Sequence, residues 1–405
     1  MKERTWAKTA ERVDQLMALV MARKDILFFS SDDWDSGLKT SKYHLSTRLA
    51  RENRVFFINS LSLRTPTLSS RDLTKIFAKL KGCLRGARKV RKNLYVYTPL
   101  LIPFQRFAVI RRVNKFFLLA QFRRLMARHR IIQPDIWTFL PNTIDLVTKL
   151  PHRKLIYYSV DDMSAFKGVP QETIRRQDEE LTKEADLTFS VSEELFNKKR
   201  LVNPNSFYSP HGVDFDLFNR ANTNGAVTKP ADLAPLPAPI IGFYGLISGD
   251  WIDYRLLEYL AQQRPRWTFV LIGKVDPRAN EKLPRADNIH YLPVKPYEEL
   301  YRYSKFFDAA ILPFNINPLT THSHPLKILE YLSAGRPVVC VYIPEAKKYA
   351  RVIAIASSYE DFLYKIENYL RRDDAGAKES RVAFASRHSW DKRFDEIQEI
   401  INRHR

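Results

Sequence analysis

Short apolar runs alternate with longer stretches of mixed polarity along most of the chain. Runs rich in aromatic and β-branched residues fall at Ile26–Ser30, Arg54–Asn59, Leu94–Thr98, Asp135–Leu140, Leu155–Val160 and Asp186–Ser192. After a break they resume at Ile240, Thr268–Gly273, Ile289–Leu292, Asp308–Phe314, from Pro337, and at Val352–Ala356. Each reads as a strand, and the segments between them are long enough for helical crossovers, which predicts parallel sheets of the α/β class. The break at 221–239, A-N-T-N-G-A-V-T-K-P-A-D-L-A-P-L-P-A-P, is rich in Pro, Ala and polar residues and reads as a linker. The pattern therefore predicts an N-terminal unit over 1–222, a linker over 223–239 and a second unit over 240–386. A terminal helix at about 387–405 is expected to return to the first unit. Residues 2–23 read as an amphipathic helix, with Trp6, Val13, Leu16, Leu19 and Val20 as its apolar members.

The stretch Thr321 to Val341, T-H-S-H-P-L-K-I-L-E-Y-L-S-A-G-R-P-V-V-C-V, reads as loop, helix, turn and strand. Ser323 or His324 can cap the helix, and Pro325 suits its first turn, where a missing N–H costs nothing. Gly335 supplies the left-handed residue that ends it. Lys327 and Glu330 are three apart and share a face within a turn of the N-terminus. A helix start with a lysine beside it attracts phosphate, through the amides near Pro325 and Leu326 as well as the ammonium group. A carboxylate one turn deeper can accept hydrogen bonds from the vicinal hydroxyls of a ribose. Diphosphate and ribose together describe a nucleotide.

Two loops of the first unit leave the carboxyl ends of strands, where open α/β sheets hold ligands. The first, S-D-D-W-D-S-G-L-K-T-S-K-Y-H, offers Asp35, Gly37 and His44 to an acceptor, with Asp32 and Asp33 beside them. It contains no G-x-G-x-x-G, so a dinucleotide fingerprint is absent. The second, Y-Y-S-V-D-D-M-S-A-F-K-G, sets Asp161 and Asp162 side by side after a buried strand. That pair reads either as a turn and N-cap cluster or as the source of a general base, and Asp161, first off the strand, is the favoured base.

The run P-L-K-I-L-E-Y-L-S-A-G-R-P-V-V resembles the donor-nucleotide motif of GT-B glycosyltransferases, near family 4 and the xanthan glucuronosyltransferase group. The resemblance implies two Rossmann-like doubly wound domains facing across a cleft, with Lys327 on the diphosphate and Glu330 on the ribose. Family 4 enzymes usually carry Glu-x7-Glu, and His322 stands at the position of the first glutamate, the one that contacts the sugar. The Y-x-x-V-D-D-x-S-A-F pattern resembles bacterial polysaccharide glycosyltransferases, and S-P-H-G-V-D resembles their PNGVD signature, with His211 in place of Asn before Gly212. By the same likeness Gly245 and Gly273 bring bare backbone to the donor, and Val294 and Tyr297 are candidates to hold the base. The implied reaction transfers a sugar from a nucleotide-sugar, a UDP-sugar by preference, to a lipid-linked or nascent polysaccharide acceptor. A catalytically silent GT-B subunit and a GT-B sugar-nucleotide epimerase are the alternatives.

Charge changes this picture. The chain carries 66 Lys and Arg against 45 Asp and Glu, a formal net charge of +21, which calls for a polyanionic surface. Arg71–Lys92 holds nine basic residues and one acidic, interleaved with Leu73, Ile76, Phe77, Leu80 and Leu84. Phe104–Arg130 holds eight basic and no acidic, with Phe104, Phe107, Ile110, Phe116, Phe117, Leu118 and Phe122. Helices of this kind lie in membrane interfaces. Anionic lipid is thus the expected partner, since a nucleic-acid surface would leave P-L-K-I-L-E-Y without a role. The N-terminus is too charged for a signal peptide, and no run of about 18 apolar residues exists. Cys83 and Cys340 sit in no metal or redox spacing. The expected protein is a cytoplasmic enzyme, peripheral on the inner face of the cell membrane, that needs no metal or other cofactor.

Overall fold

A computed structural model describes residues 23–37, 39–61, 86–102, 108–166, 168–223, 227–277 and 282–404. The predicted helix over 2–23, most of the basic stretch 71–92, and Phe104 and Phe107 lie outside these residues. The chain divides into two compact units, described separately below.

The first sheet contains β1 (Asp25–Phe29), β2 (Arg54–Ile58), β3 (Arg88–Arg91), β4 (Leu94–Tyr97), β5 (Asp135–Thr138), β6 (Lys154–Ser159), β7 (Leu187–Ser190) and β8 (Ser206–Tyr208), in the order β3-β4-β2-β1-β5-β6-β7-β8. β1 pairs in parallel with β2 and β5, β2 with β4, and β5 with β6. β3 is antiparallel to β4, so the end of the basic stretch expected to be helical is an edge strand instead. Its charged residues, Arg88, Lys89 and Arg91, suit an edge, where Lys and Arg discourage further pairing. β8 is a second strand without a sequence signal, because it has only three residues.

Aromatic residues at matching registers build one face of this sheet. Phe28 stacks on Phe57 at 5.6 Å and on Trp137 at 6.2 Å, and Trp137 stacks on Phe189 at 6.4 Å. The other face receives the Ala108–His129 helix through Leu118, Leu119, Phe122, Leu125 and Met126. Two amides of that helix hold the segment after β4. Buried Asn114 accepts from the Ile102 N–H at 2.8 Å and donates to its carbonyl at 2.9 Å, and Gln121 does the same to Leu100, 2.9 Å each way. They stand seven residues apart, two turns, which places them on one helix face. Phe122 therefore belongs to the core, whereas Phe116 is 72% and Phe117 37% exposed.

The second sheet contains β9 (Ile240–Tyr244), β10 (Thr268–Ile272), β11 (Ile289–Leu292), β12 (Ala309–Leu312), β13 (Val338–Val341) and β14 (Ala354–Ala356), in the order β11-β10-β9-β12-β13-β14. Its pairs are parallel. On β9, Gly242 lets the Phe307 ring lie directly on the strand, since a Cβ there would sit 2.3 Å from it. The described part of the expected linker is packed, not loose. Leu233 is fully buried in the second core, and Asp232 pairs with Lys295 at 2.5 Å and accepts from Tyr303 Oη at 2.9 Å.

The second unit is discontinuous. It gathers Val160–Ala165, Ser190–Lys198 and everything from Tyr208 onwards, including the terminal helix Trp390–Arg403. The sequence reading attached residues 160–165, 190–198, 208–222 and the terminal helix to the first unit. The terminal segment is fixed by backbone pairing, with Val213 N–H to the His388 carbonyl at 2.9 Å and Trp390 N–H to the Val213 carbonyl at 3.0 Å.

Asn114→Ala should leave the Ile102 N–H and carbonyl without their partner inside the first unit. Each lost hydrogen bond costs about 0.5–1.5 kcal/mol, so the first unit's denaturant midpoint should fall while that of the second stays put. An unchanged midpoint for the first unit would show that the clamp contributes nothing.

Candidate functional site

The organising motif folds as helix Leu326–Ser333 followed by β13. Its start differs from expectation. Pro325 is itself the N-cap, outside the first turn, and no side chain caps the helix. Ser323 Oγ donates to the Thr320 carbonyl at 3.0 Å, and His324 Nε2 meets Tyr349 Oη at 2.7 Å, so both are turned into the fold. No side chain takes up the amides of the first turn, but the Leu326 N–H goes to the His324 carbonyl at 2.9 Å and the Ile328 N–H to the Pro325 carbonyl at 3.0 Å, so the expected Leu326 amide is already engaged. The end is as predicted. Gly335 is left-handed at φ 72°, and the Arg336 N–H returns to the Tyr331 carbonyl at 2.9 Å.

Lys327 lies over Gly245 at the end of β9, where an added Cβ would come 2.5 Å from Lys327 Cε. Gly245 (φ 155°) and Gly273 (φ 148°) both need backbone that side chains disfavour. A Cβ on Gly273 would stand 1.8 Å from the Gly245 carbonyl oxygen, so the two strand ends meet backbone to backbone beneath the lysine. Glu330 is 4% exposed. Burial pushes its carboxyl above the usual range, against the opposing pull of Lys327 and a hydrogen bond from Tyr244. Val294 is 65% exposed beyond β11, whereas Tyr297 is half-buried edge-on against Phe218 at 5.5 Å.

His322 joins two carboxylates from separate segments of the second unit. Its Nε2 is 2.7 Å from Glu194 Oε1, and its Nδ1 is 3.3 Å from Asp162 Oδ2. Asp162 also accepts from Ser164 Oγ at 2.5 Å and from the Ser164 N–H at 3.1 Å. Burial alone would raise the Asp162 pKa, but those hydrogen bonds, with His322 and Lys198, hold it below the ordinary value. Such a carboxylate is a weakened base. Asp161 precedes it at the strand end, half-buried. The structure thus brings Asp162 to His322, five residues before Lys327, and adds Glu194, which the sequence reading passed over. Its only signal was the S-V-S-E-E-L run, a capped helix start with acidic residues in the first turn.

The first loop of the first unit is ordered by its own contacts. Asp32 accepts from Thr40 Oγ1 at 2.7 Å and pairs with Lys42 at 3.4 Å, and Asp33 accepts from the Ser60 N–H at 3.0 Å. Asp35 is exposed and pairs with Arg88 at 2.7 Å, and Gly37 is left-handed at φ 76°. His44 is buried on the Ser41–Leu49 helix beside Arg48, with its Nδ1 3.4 Å from Arg48 Nη1. In the second unit, the close approach that Gly212 permits is taken up by the chain itself, since a Cβ there would meet Trp390 backbone at 2.8 Å. His211 packs edge-on to His324 at 5.4 Å and beside Trp390 at 6.0 Å. Among the described residues, no group of three His, Cys, Asp or Glu side chains is arranged to hold a metal ion.

Residues 238–372 match the family model described as Glycosyl transferases group 1. This segment, a third of the chain, is similar to group 1 glycosyl transferase domains. A Bacillus subtilis (strain 168) protein, TuaH, named as a teichuronic acid biosynthesis glycosyltransferase, is 27% identical over 195 residues. The match covers 46% of this chain and 48% of the relative, so it spans about half the length of each. Sucrose-phosphate synthase from Thermosynechococcus elongatus superposes with a TM-score of 0.66 at 14% identity, over 94% of this chain and 99% of that one. Anabaena HepE in complex with UDP and glucose gives 0.64 at 13% identity, over 94% and 99%. The fold is GT-B, in agreement with the sequence expectation. The matched segment contains Lys327, Glu330, Gly245 and Gly273, whereas Asp162 and Glu194 reach its unit from the N-terminal half of the chain.

Just before the Leu326–Ser333 helix His324 is buried, and His388 is half-buried. Burial, then neighbouring His211, Arg393, Lys348 and His388, drive the His324 pKa well below normal, and burial with Arg393 and Arg387 lowers that of His388. Each takes a proton more readily unfolded than folded, so stability is present above a pH of about 6.5 and falls as the pH drops below it. The second unit should lose thermal stability between pH 6.5 and 5, and His324→Asn should flatten that acid limb. Equal slopes for the two proteins in a melting series would refute the linkage.

Proposed function

We propose that the protein transfers a sugar from a UDP-sugar to a lipid-linked or nascent polysaccharide acceptor at a membrane surface, without a metal. The observation that carries this reading is Lys327 lying across the bare backbone of Gly245, one helical turn from the buried carboxylate of Glu330. An ammonium group, uncapped helix amides and glycine backbone suit a diphosphate, and the carboxylate suits a ribose. A solved neighbour holding UDP and glucose, and a relative named for teichuronic acid biosynthesis, support the donor and acceptor classes.

In the proposed reaction an acceptor hydroxyl oxygen attacks the anomeric carbon as the bond from that carbon to the diphosphate oxygen breaks. Lys327 and the first-turn amides stabilise the charge that develops on the leaving diphosphate. Asp161 receives the hydroxyl proton. It is favoured as the first carboxylate off the strand, and hydrogen bonds together with the His322 contact hold Asp162 in its ionised form. Val294 is exposed and free to meet the base, and Tyr297 can contribute from its packed position. His322 faces the sugar end of the site. Asp35, Gly37 and His44 of the first unit, and His211 and Gly212 of the second, are kept as acceptor candidates.

Membrane contact rests on the outward stripe of the Ala108–His129 helix. Val113, Phe116 and Phe117 are exposed on its first half, and Arg112, Arg123, Arg124 and Arg128 are exposed along it. Apolar residues beside arginines fit the interface of an anionic bilayer. Among the described residues no helix is long and apolar enough to cross one. A silent GT-B subunit would bind UDP without turnover, and an epimerase would change the donor without an acceptor.

Lys327→Ala should weaken UDP binding by roughly tenfold to a hundredfold, the effect of losing a charge-assisted contact of about 1.5–3 kcal/mol. Calorimetry showing wild-type affinity in that variant would sink the donor site. On vesicles, Phe116→Ser with Phe117→Ser should reduce binding to anionic lipid, and added salt should reduce what remains, at about 1 kcal/mol per basic residue near the surface. Equal partitioning of the wild type onto neutral and anionic vesicles would exclude the interfacial reading.

A further inference from the structure

Glu345 follows β13 on the Pro344–Tyr349 turn and is 2% exposed. Its carboxylate is not idle. Oε1 accepts the Glu193 N–H at 2.7 Å, and Oε2 accepts from Tyr208 Oη at 2.8 Å and Lys348 Nζ at 2.9 Å. Lys348 also lies over the Tyr208 ring at 3.9 Å and pairs with Glu193 at 3.2 Å. Glu193 is the first residue of the Glu193–Arg200 helix, whose preceding Ser192 accepts the Leu195 N–H at 3.4 Å. A helix start leaves its first amides without internal partners. Ser192 satisfies one locally, and Glu345 satisfies another from 152 residues away.

The next residue is Glu194, which meets His322, and His322 meets Asp162. Lys348 and Tyr208 are thereby linked through Glu345 to the backbone of Glu193, through the next residue Glu194 to His322, and by the 3.3 Å His322–Asp162 approach to the Val160–Ala165 loop. Every residue in this linkage belongs to the second unit. A buried carboxylate with three donors is a fixed point, because moving it would leave charge unpaired in a dry site. The far end of the linkage is the loop on which Asp161 sits.

We propose that Glu345 is a positioning residue for transfer: by capping the Glu193–Arg200 helix it holds Glu194 against His322, and so fixes the Asp161–Asp162 loop relative to the donor helix. The inference rests on the glycosyltransferase reading above. It assigns Glu345 no contact with substrate, so its effect should fall on turnover and not on nucleotide affinity. Misplacing a reacting group by a small distance is enough to slow a step that depends on alignment.

The test compares Glu345→Ala, which removes the cap, with Glu345→Gln, whose amide oxygen can still accept the Glu193 N–H. For Glu345→Ala we expect kcat to fall about tenfold with UDP affinity within twofold of wild type. For Glu345→Gln we expect kcat within threefold of wild type. In an Asp161→Asn background, Glu345→Ala should have little further effect, since the two act through one loop. Hydrogen exchange should quicken over 160–165 and 190–198 in Glu345→Ala and stay unchanged over 326–333. Equal losses in the two Glu345 variants, affinity falling in step with kcat, effects that multiply with Asp161→Asn, or unaltered exchange would each overturn the proposal. If the wild type binds UDP but transfers no sugar from any donor, the transferase reading fails, and the exchange measurement still decides whether Glu345 holds the loop.

Discussion

The second unit is built around a contact that only two glycines allow. Gly245 and Gly273 end neighbouring parallel strands, and the carbonyl of one lies where any side chain of the other would have to go. The placement of Lys327 and Glu330 follows from that closeness. With no Cβ in the way, the Lys327 chain can lie down on the strand ends. With Lys327 there, the buried Glu330 has a cation to offset part of its desolvation. The Leu326–Ser333 helix is held in register by Tyr331, whose hydroxyl accepts the Tyr244 N–H at 2.9 Å at the end of the same strand. Backbone, lysine and carboxylate are thus one construction.

Sheet membership was largely legible, because buried parallel strands are continuous apolar runs and leave a direct trace in sequence. The two strands without a trace fail for physical reasons. Arg88–Arg91 is an edge, selected for charge more than for burial, and Ser206–Tyr208 is too short to show a period. Lys327, Glu330, Gly245 and Gly273 were legible as a local motif, since spacing along one helix and glycine at strand ends are sequence properties. Glu194 and Glu345 were not. Their roles arise from pairings across 128 and 152 positions, and no local pattern encodes such a partner. Ser323 and His324 were misread in the opposite way. Both are good capping residues by type, yet the Thr320 carbonyl and the Tyr349 hydroxyl claim them.

The packed arm before β9 makes a related point. A composition of Pro, Ala and polar residues predicts a loose connection, but one apolar residue and one ion pair suffice to bind it down. Leu233 enters the core completely, and Asp232 finds both a lysine and a tyrosine. Low hydrophobicity describes the stretch on average, whereas docking depends on single positions.

The discontinuity of the second unit also bears on synthesis. The first unit has all of its pieces once residue 207 has been made, so its long-range contacts can close early. The second starts with Val160–Ala165 and ends with the helix that carries buried Trp390. Its earliest and latest parts are more than two hundred residues apart in order of translation. Pairing of Val213 with Ser389 must therefore wait until residue 389 has left the ribosome. At elongation rates of about 5–20 residues per second, that is a delay of roughly ten seconds or more after the first unit is complete. During that interval the nascent chain carries one finished unit and a second in which Gly212 and Val213 still wait for the segment that packs on them.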